Sequence, residues 1–299
     1  MPTNTAQQGL LYALIAYGLW GFFPLFFKQV TDLPALEVLA HRVIWACVFT
    51  GLVLTLMRSW KTTVTHLKNA RIWAALGFSA LLIAVNWGVF IYAVGEGQVL
   101  ASSLGYFLTP LVNVLLGTLV LGEKQDKFRK FALVLATAGV LWQIIALGEL
   151  PWISLILASS FGVYGLVRKQ APVDTLSGLL IETLVLCPIA FAYWYWLLDT
   201  GQDHFLESGF DAGRLIAMGV LTSVPLLAFA AAAQRLSLTV VGFLTYMAPT
   251  CHFLLAVFLY NEPFGTHQLI SFSLIWAALF VFSGGALLNK GNKAQKKAV

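Results

Sequence analysis

The feature that most narrows the folds open to this chain is that its second half repeats its first. Sliding the sequence by 139 residues lays Pro110 on Pro249, Asn113 on His252, Leu115 and Leu116 on Leu254 and Leu255, and Glu123 on Glu262. Nearer the start of each half, a slide of 141 lays Gly21 on Gly162 and Lys28 on Lys169, with Trp20 on Phe161 just before them. Both copies are built from long apolar runs. An odd number of membrane crossings per copy inverts the second copy, and inverted repeats are how many secondary transporters build two gates around a site near the bilayer midplane.

Composition supports a membrane setting. Hydrophobic residues make up 59% of the chain and charged ones 10%, with a mean hydropathy of +0.83, whereas about 25% charged is usual in soluble domains. Cys47, Cys187 and Cys251 sit within apolar runs, without CxxC or Cys/His spacing. They read as small buried apolar side chains, and neither a disulfide framework nor a metal site is expected. The segment Gly9 to Phe27 has no cationic run before it and no small-x-small cleavage site after it, so it is expected to be a permanent span.

A helix needs about 20 apolar residues to cross the hydrocarbon core. Ten stretches meet or approach that, at 8–28, 36–57, 71–94, 98–121, 128–147, 151–168, 175–198, 213–233, 237–260 and 267–288. The expected fold is an all-α polytopic membrane protein of ten transmembrane helices, arranged as two inverted five-helix repeats at 8–147 and 151–288, with a basic tail at 289–299. The longest link, Asp199 to Ala212, has 14 residues, too few for a soluble nucleotide-binding or enzymatic domain. In this ten-span scheme 15 of the 18 Lys and Arg, from Arg58 to Lys297, fall on one side, leaving only Lys28, Arg42 and Arg214 elsewhere. The positive-inside rule makes the basic side cytoplasmic, so both termini are expected there. The +5 net charge is thereby explained as topology, and nucleic acid is not an expected partner.

Helices in lipid associate through close backbone approach. Ser154, Ala158 and Gly162 form a four-residue stripe, as do Ala101 with Gly105 and Ala228 with Ala232, and these are expected to be packing faces.

The few ionisable groups within spans are the candidates for chemistry, because a charge at the centre of a membrane helix costs about 2.5–3.5 kcal/mol on insertion scales. His41 and Arg42 enter the second span from outside, and Glu182 enters the seventh from inside. The 141-residue slide lays His41 on Glu182. At about 1.5 Å per residue, Arg42 and Glu182 are separated by roughly 10 Å along the bilayer normal, too far for a direct ion pair. Each reads equally as a hydrogen-bonded structural group or as an anchor for a polar substrate group, with Glu182 also a proton site. Asn86, Trp87, Tyr106, Tyr164 and Tyr246 offer aromatic faces with polar tips, suited to an amphipathic organic solute or to plain packing. Pro110 and Pro249 are expected as mid-helix kinks. Asn113 and His252, three residues beyond them, are expected in helix-to-helix hydrogen bonds. No Walker, HExxH, GxSxG or paired Asp motif is present, so catalysis is not expected.

Several of these segments carry a resemblance. His41-Arg42-Val43-Ile44-Trp45, Asn86-Trp87, Ala101 to Pro110 (ASSLGYFLTP) continuing to Leu121-Gly122-Glu123, Tyr164 to Lys169 (YGLVRK), Leu179 to Thr183 (LLIET), Val224 to Leu227 and Phe253 to Val257 resemble the RarD family, in the EamA branch of the drug/metabolite transporter superfamily. The likeness covers roughly residues 8 to 290. It implies ten helices in two inverted repeats, a bacterial inner-membrane location and permease activity, with a link to chloramphenicol sensitivity as the only hint of substrate.

The expected function is a secondary transporter that moves small organic solutes or drugs, outward, by alternating access. An amino-acid or metabolite exporter with the same parts is the alternative. A membrane enzyme lacks a nucleophile-base pair, and a sensor or scaffold has no need of two gates. No cofactor is expected. The expected partners are a small-molecule solute and membrane lipids, with a second copy of the chain left open.

Overall fold

A computed structural model describes residues 2–120, 122, 125–233, 235–236 and 244–297. All regular structure among them is helical, and the apolar runs set its boundaries. The elements are α1 (Pro2–Gly21), α2 (Phe23–Lys28), α3 (Ala35–Leu56), α4 (Trp60–Leu67), α5 (Ala70–Gly95), α6 (Val99–Leu119), α7 (Lys127–Leu147), α8 (Trp152–Gln170), α9 (Thr175–Thr200), α10 (Gly209–Ala233), α11 (Met247–Leu254) with a π-helical turn at Leu255–Leu259, and α12 (Thr266–Lys297). Glu123, Lys124 and residues 237–243 of the expected ninth span lie outside the described residues.

Polar residues at the links start the helices by satisfying backbone groups that lipid cannot. Asn69 accepts the Arg71 amide at 3.0 Å to start α5, Asp126 the Arg129 amide at 2.9 Å to start α7, and Asp174 the Ser177 amide at 2.9 Å to start α9. Gly148 and Gly201, at φ 71° and 66°, end α7 and α9 in the left-handed conformation that glycine adopts without strain.

The protein is an all-α polytopic membrane protein. Eight helices among the described residues are long and apolar enough to cross a membrane. The other two expected spans fall short of that measure: α8 closes on Arg168, Lys169 and Gln170, and the described part of the ninth span is the short piece Met247–Leu259. Pro249 departs from expectation. It sits in the first turn of α11, where a missing amide costs little, rather than in mid-helix, whereas Pro110 does lie inside α6. The first span is also broken at Phe22, so that α2 follows α1 after a single residue, with Pro24 in its first turn.

Packing follows the repeat. The closest pairings are α7 with α12, α6 with α8, α3 with α9, α3 with α10, α1 with α10 and α5 with α8. Exchanging α1, α3, α5, α6 and α7 for α8, α9, α10, α11 and α12 turns α6/α8 into α11/α1, α5/α8 into α10/α1 and α3/α10 into α9/α5, all of which are observed contacts. The small-residue faces meet as expected. A Cβ at Gly105 would lie 2.9 Å from the Ser154 carbonyl oxygen, and Ser154 Oγ donates to the Ala101 carbonyl at 2.7 Å. Gly21 lies against Cys251, and its repeat partner Gly162 lies against Val112, the residue 139 positions before Cys251.

Candidate functional site

The expected polar residues separate into three small clusters around α3, α5 and α9, not one. The first surrounds Arg42. On α3 this residue is 3% exposed. Its Nε donates to Thr222 Oγ1 at 2.7 Å on α10, and that hydroxyl in turn donates to the Met218 carbonyl at 2.8 Å. Three aromatic rings surround the guanidinium, with centroids at 4.2 Å for Trp87, 5.0 Å for Phe27 and 5.7 Å for Phe23. Nη1 makes no hydrogen bond, and no carboxylate pairs with Arg42 among the described residues. A cleft of about 150 Å³, between residues 27–35 and 91–96, shares Phe27 with this cage.

The second cluster surrounds Glu182 on α9, 1% exposed. Ser79 on α5 donates to Oε1, Tyr164 on α8 donates to Oε2 at 3.3 Å, and Arg168 Nε lies 3.6 Å from Oε1. The carboxylate therefore has a dedicated cation and two hydroxyl donors, the arrangement that makes a buried charge tolerable.

The third cluster starts at Asn86, one residue before Trp87 on α5. Its Nδ2 donates to the Leu157 carbonyl and to Ser160 Oγ on α8, both at 3.0 Å, while Tyr106 on α6 donates to its Oδ1 at 3.2 Å. The Tyr106 ring also meets those of Phe90 and His252, at 6.1 and 5.7 Å. His252 Nε2 lies 2.9 Å from the Trp20 carbonyl, the expected bond between helices, whereas its repeat partner Asn113 is exposed.

Arg42 and Glu182 do not pair. His41 does not join Arg42 either: successive residues on a helix point about 100° apart, and His41 instead stacks on Phe205 at 4.6 Å and meets the edge of Trp194 at 5.1 Å. Tyr246 stands at the start of α11 and bonds to Ser283 on α12, and among the described residues no hydrogen bond or ring contact joins it to the three clusters. Thr222, Ser79, Ser160 and Arg168 are partners that sequence reasoning missed. Isolated hydroxyls in apolar runs carry no pattern, and Arg168 reads from sequence only as a basic residue of a link.

A bundle of apolar helices whose core holds a buried arginine on α3 and a buried glutamate on the facing α9 defines a polytopic membrane protein with polar groups fixed inside its bundle. A profile of the EamA-like transporter family matches residues 7–145 and again 150–284. Relatives described as Protein RarD are 42% identical over 98% of this chain and 100% of theirs in Salmonella typhi, and 43% identical over 94% and 96% in Escherichia coli K12. A Pseudomonas aeruginosa relative described as chloramphenicol-sensitive protein RarD is 34% identical over 92% of this chain and 93% of its own. A solved crystal structure 19% identical in sequence superposes with a TM-score of 0.58, covering 92% of this chain and 96% of that one, which shows a shared fold. The chain belongs to the EamA-like transporter family, within its RarD group, and is a multi-pass inner-membrane transporter.

Proposed function

We propose that the protein is a secondary transporter that carries a small, partly apolar organic solute bearing an acidic group, and that Arg42 anchors that group. The observation that carries this is the buried guanidinium without a carboxylate partner. Desolvating a cation costs several kcal/mol unless it is paired. Rings contribute about 2 kcal/mol or more when desolvated, and Thr222 supplies one neutral acceptor. A solute carboxylate placed against Nη1 supplies the missing charge, and the Trp87 and Phe27 rings suit the apolar remainder of the molecule.

Around this anchor the halves act as two gates related by a twofold axis in the membrane plane, with both termini cytoplasmic, and transport runs outward by alternating access. The exchange symmetry of the helix pairings and the clustering of Lys and Arg in alternate links support this reading. The family likeness to a chloramphenicol-sensitive protein supports drugs as alternative cargo on the same aromatic walls.

Binding tests the anchor. Purified protein in nanodiscs, screened by thermal shift against matched carboxylic acids, primary amides and amines of small aromatic and aliphatic compounds, is expected to be stabilised by acids. Arg42→Gln is expected to lose that response while keeping its fold. Equal stabilisation by the amides, or acid binding retained in Arg42→Gln, contradicts the assignment.

A further inference from the structure

One turn before Arg42, the same helix contributes to a polar cluster that the transport path does not use. Glu37 and His41 on α3 and Asp203 in the link between α9 and α10 each present a ligand atom, and the three atoms lie within 4.8 Å of one another. All are buried, with exposures of 0%, 1% and 7%. Two carboxylates at this depth require positive charge nearby. His204, whose Nδ1 lies 2.7 Å from Glu37 Oε2, is the one basic side chain that pairs with them among the described residues, and it carries positive charge only when protonated. His41 adds the decisive feature. It is buried in the middle of the cluster, yet neither ring nitrogen makes a hydrogen bond, and an unmade hydrogen bond at a buried polar atom is costly. The ring is not free to turn away, since it is held flat on Phe205 and against Trp194.

We propose that Glu37, His41 and Asp203 bind one divalent transition-metal ion of the zinc class. One imidazole nitrogen and two carboxylate oxygens form a donor set that zinc accepts, and three protein ligands leave the fourth tetrahedral position to water. Both carboxylates are already oriented by outer donors, as ligating carboxylates usually are. The His204 amide donates to Glu37 Oε1 at 2.9 Å, Trp194 Nε1 to Asp203 Oδ1 at 2.8 Å, and the Leu206 amide to Asp203 Oδ2 at 2.8 Å. The ion ties the link after α9 to the first turns of α3, at the mouth of the bundle above Arg42. It is distinct from the Arg42 anchor, whose guanidinium faces Trp87 on α5.

The test uses tag-free protein in nanodiscs, stripped with EDTA, incubated with zinc, manganese or nickel chloride and passed over gel filtration before elemental analysis. The expected result is one zinc per chain and a zinc K-edge spectrum that includes one imidazole nitrogen. His41→Phe keeps the stacked ring without a ligand atom and is expected to retain no zinc. Asp203→Asn is expected to lose zinc as well, and His204→Ala, which removes the imidazole contact to Glu37 Oε2 and leaves the backbone bond to Oε1, is expected to weaken binding by roughly 10- to 100-fold. Wild-type protein that retains none of the three metals overturns the proposal. So does a His41→Phe chain with wild-type zinc content. Should His41→Phe fail to elute as folded protein, a wild-type K-edge spectrum without an imidazole nitrogen overturns it alone.

Discussion

Glu262→Ala is expected to loosen the start of α6 and little else. The turn after the π-helical segment is made by Asn261, left-handed at φ 53°, a conformation asparagine tolerates better than most residues. It brings Glu262 over α6, where Oε1 accepts from the Val99 amide and Oε2 from the Leu100 amide, both at 2.7 Å. These are the first amides of the helix and have no intrahelical acceptor. The residue at the usual capping position, Gln98, makes no side-chain bond to them. Glu262 therefore caps α6 from the opposite half of the chain. A hydrogen bond to a charged group contributes about 1.5–3 kcal/mol, and a negative charge at a helix N-terminus about 0.3–1 kcal/mol. These overlap on one carboxylate, so the loss comes to about 2–4 kcal/mol, or about 30- to 1,000-fold in the local opening equilibrium. Glu262→Gln keeps one accepting oxygen and is expected to lose about half as much free energy. Hydrogen exchange followed by mass spectrometry on the peptide spanning residues 97–104 reads the change directly, with the peptide over Asp174 and Ser177 as a control. Unchanged exchange in Glu262→Ala refutes the capping argument. A loss in Glu262→Gln equal to that in Glu262→Ala shows that the charge, and not the pair of bonds, holds the helix.

Burial raises the Glu262 carboxyl above its ordinary 4.5, even though the two amides and Lys28 pull it down. The folded chain thus holds this proton to higher pH than the unfolded chain, so a separate increment of stability, from keeping the buried carboxyl neutral, is full below 4.5 and is lost as pH rises through the folded value, while the two amide bonds to the ionised carboxylate remain. Denaturation midpoints across that window are expected to show this slope in the wild type and not in Glu262→Gln; identical slopes refute it. Gly105→Ala is expected to cost about 1–3 kcal/mol from overpacking against Ser154 and Leu157, more than the gain of up to about 1 kcal/mol in helix propensity. Gly77→Ala, with nothing within 4 Å of a new Cβ, is expected to be neutral or stabilising in the same melt, and equal effects of the two would remove the close-approach account of the α6/α8 contact. Arg168→Ala is expected to destabilise more than Glu182→Gln, because it strands a buried carboxylate; if Glu182→Gln then transports with wild-type pH dependence, Glu182 has only a structural role.

Much of the bundle was legible because lipid imposes a simple length rule on apolar runs, whereas the caps at Asn69, Asp126 and Asp174 that start α5, α7 and α9 were not read from the sequence. The short α4 was not: eight residues in a basic link carry too little periodicity to stand out. The break in the first span was missed because Pro24 follows Gly21 inside an otherwise continuous apolar run. For the site, Arg42 and Glu182 both lie buried on long apolar helices, yet their partners were harder to read. His41 and Arg42 are neighbours in sequence and lie in different clusters because a helix turns about 100° per residue. Arg168 counted only as a topology charge, since nothing in a sequence shows that a long side chain reaches back to Glu182. Asn113 and His252 occupy equivalent positions, yet the smaller amide remains at the surface.

The central claim is that Arg42 anchors an acidic solute on a transport path, and flux measures it most directly. Wild-type protein and Arg42→Gln are reconstituted in proteoliposomes, loaded with a mixed pool of aromatic and aliphatic carboxylic acids together with a neutral phenicol, and followed by mass spectrometry under an imposed pH gradient. The account predicts saturable movement of at least one acid by the wild type, and none of that acid by an equally well inserted Arg42→Gln. Saturable transport of the acid that survives in Arg42→Gln, or wild-type movement confined to the neutral phenicol, contradicts it.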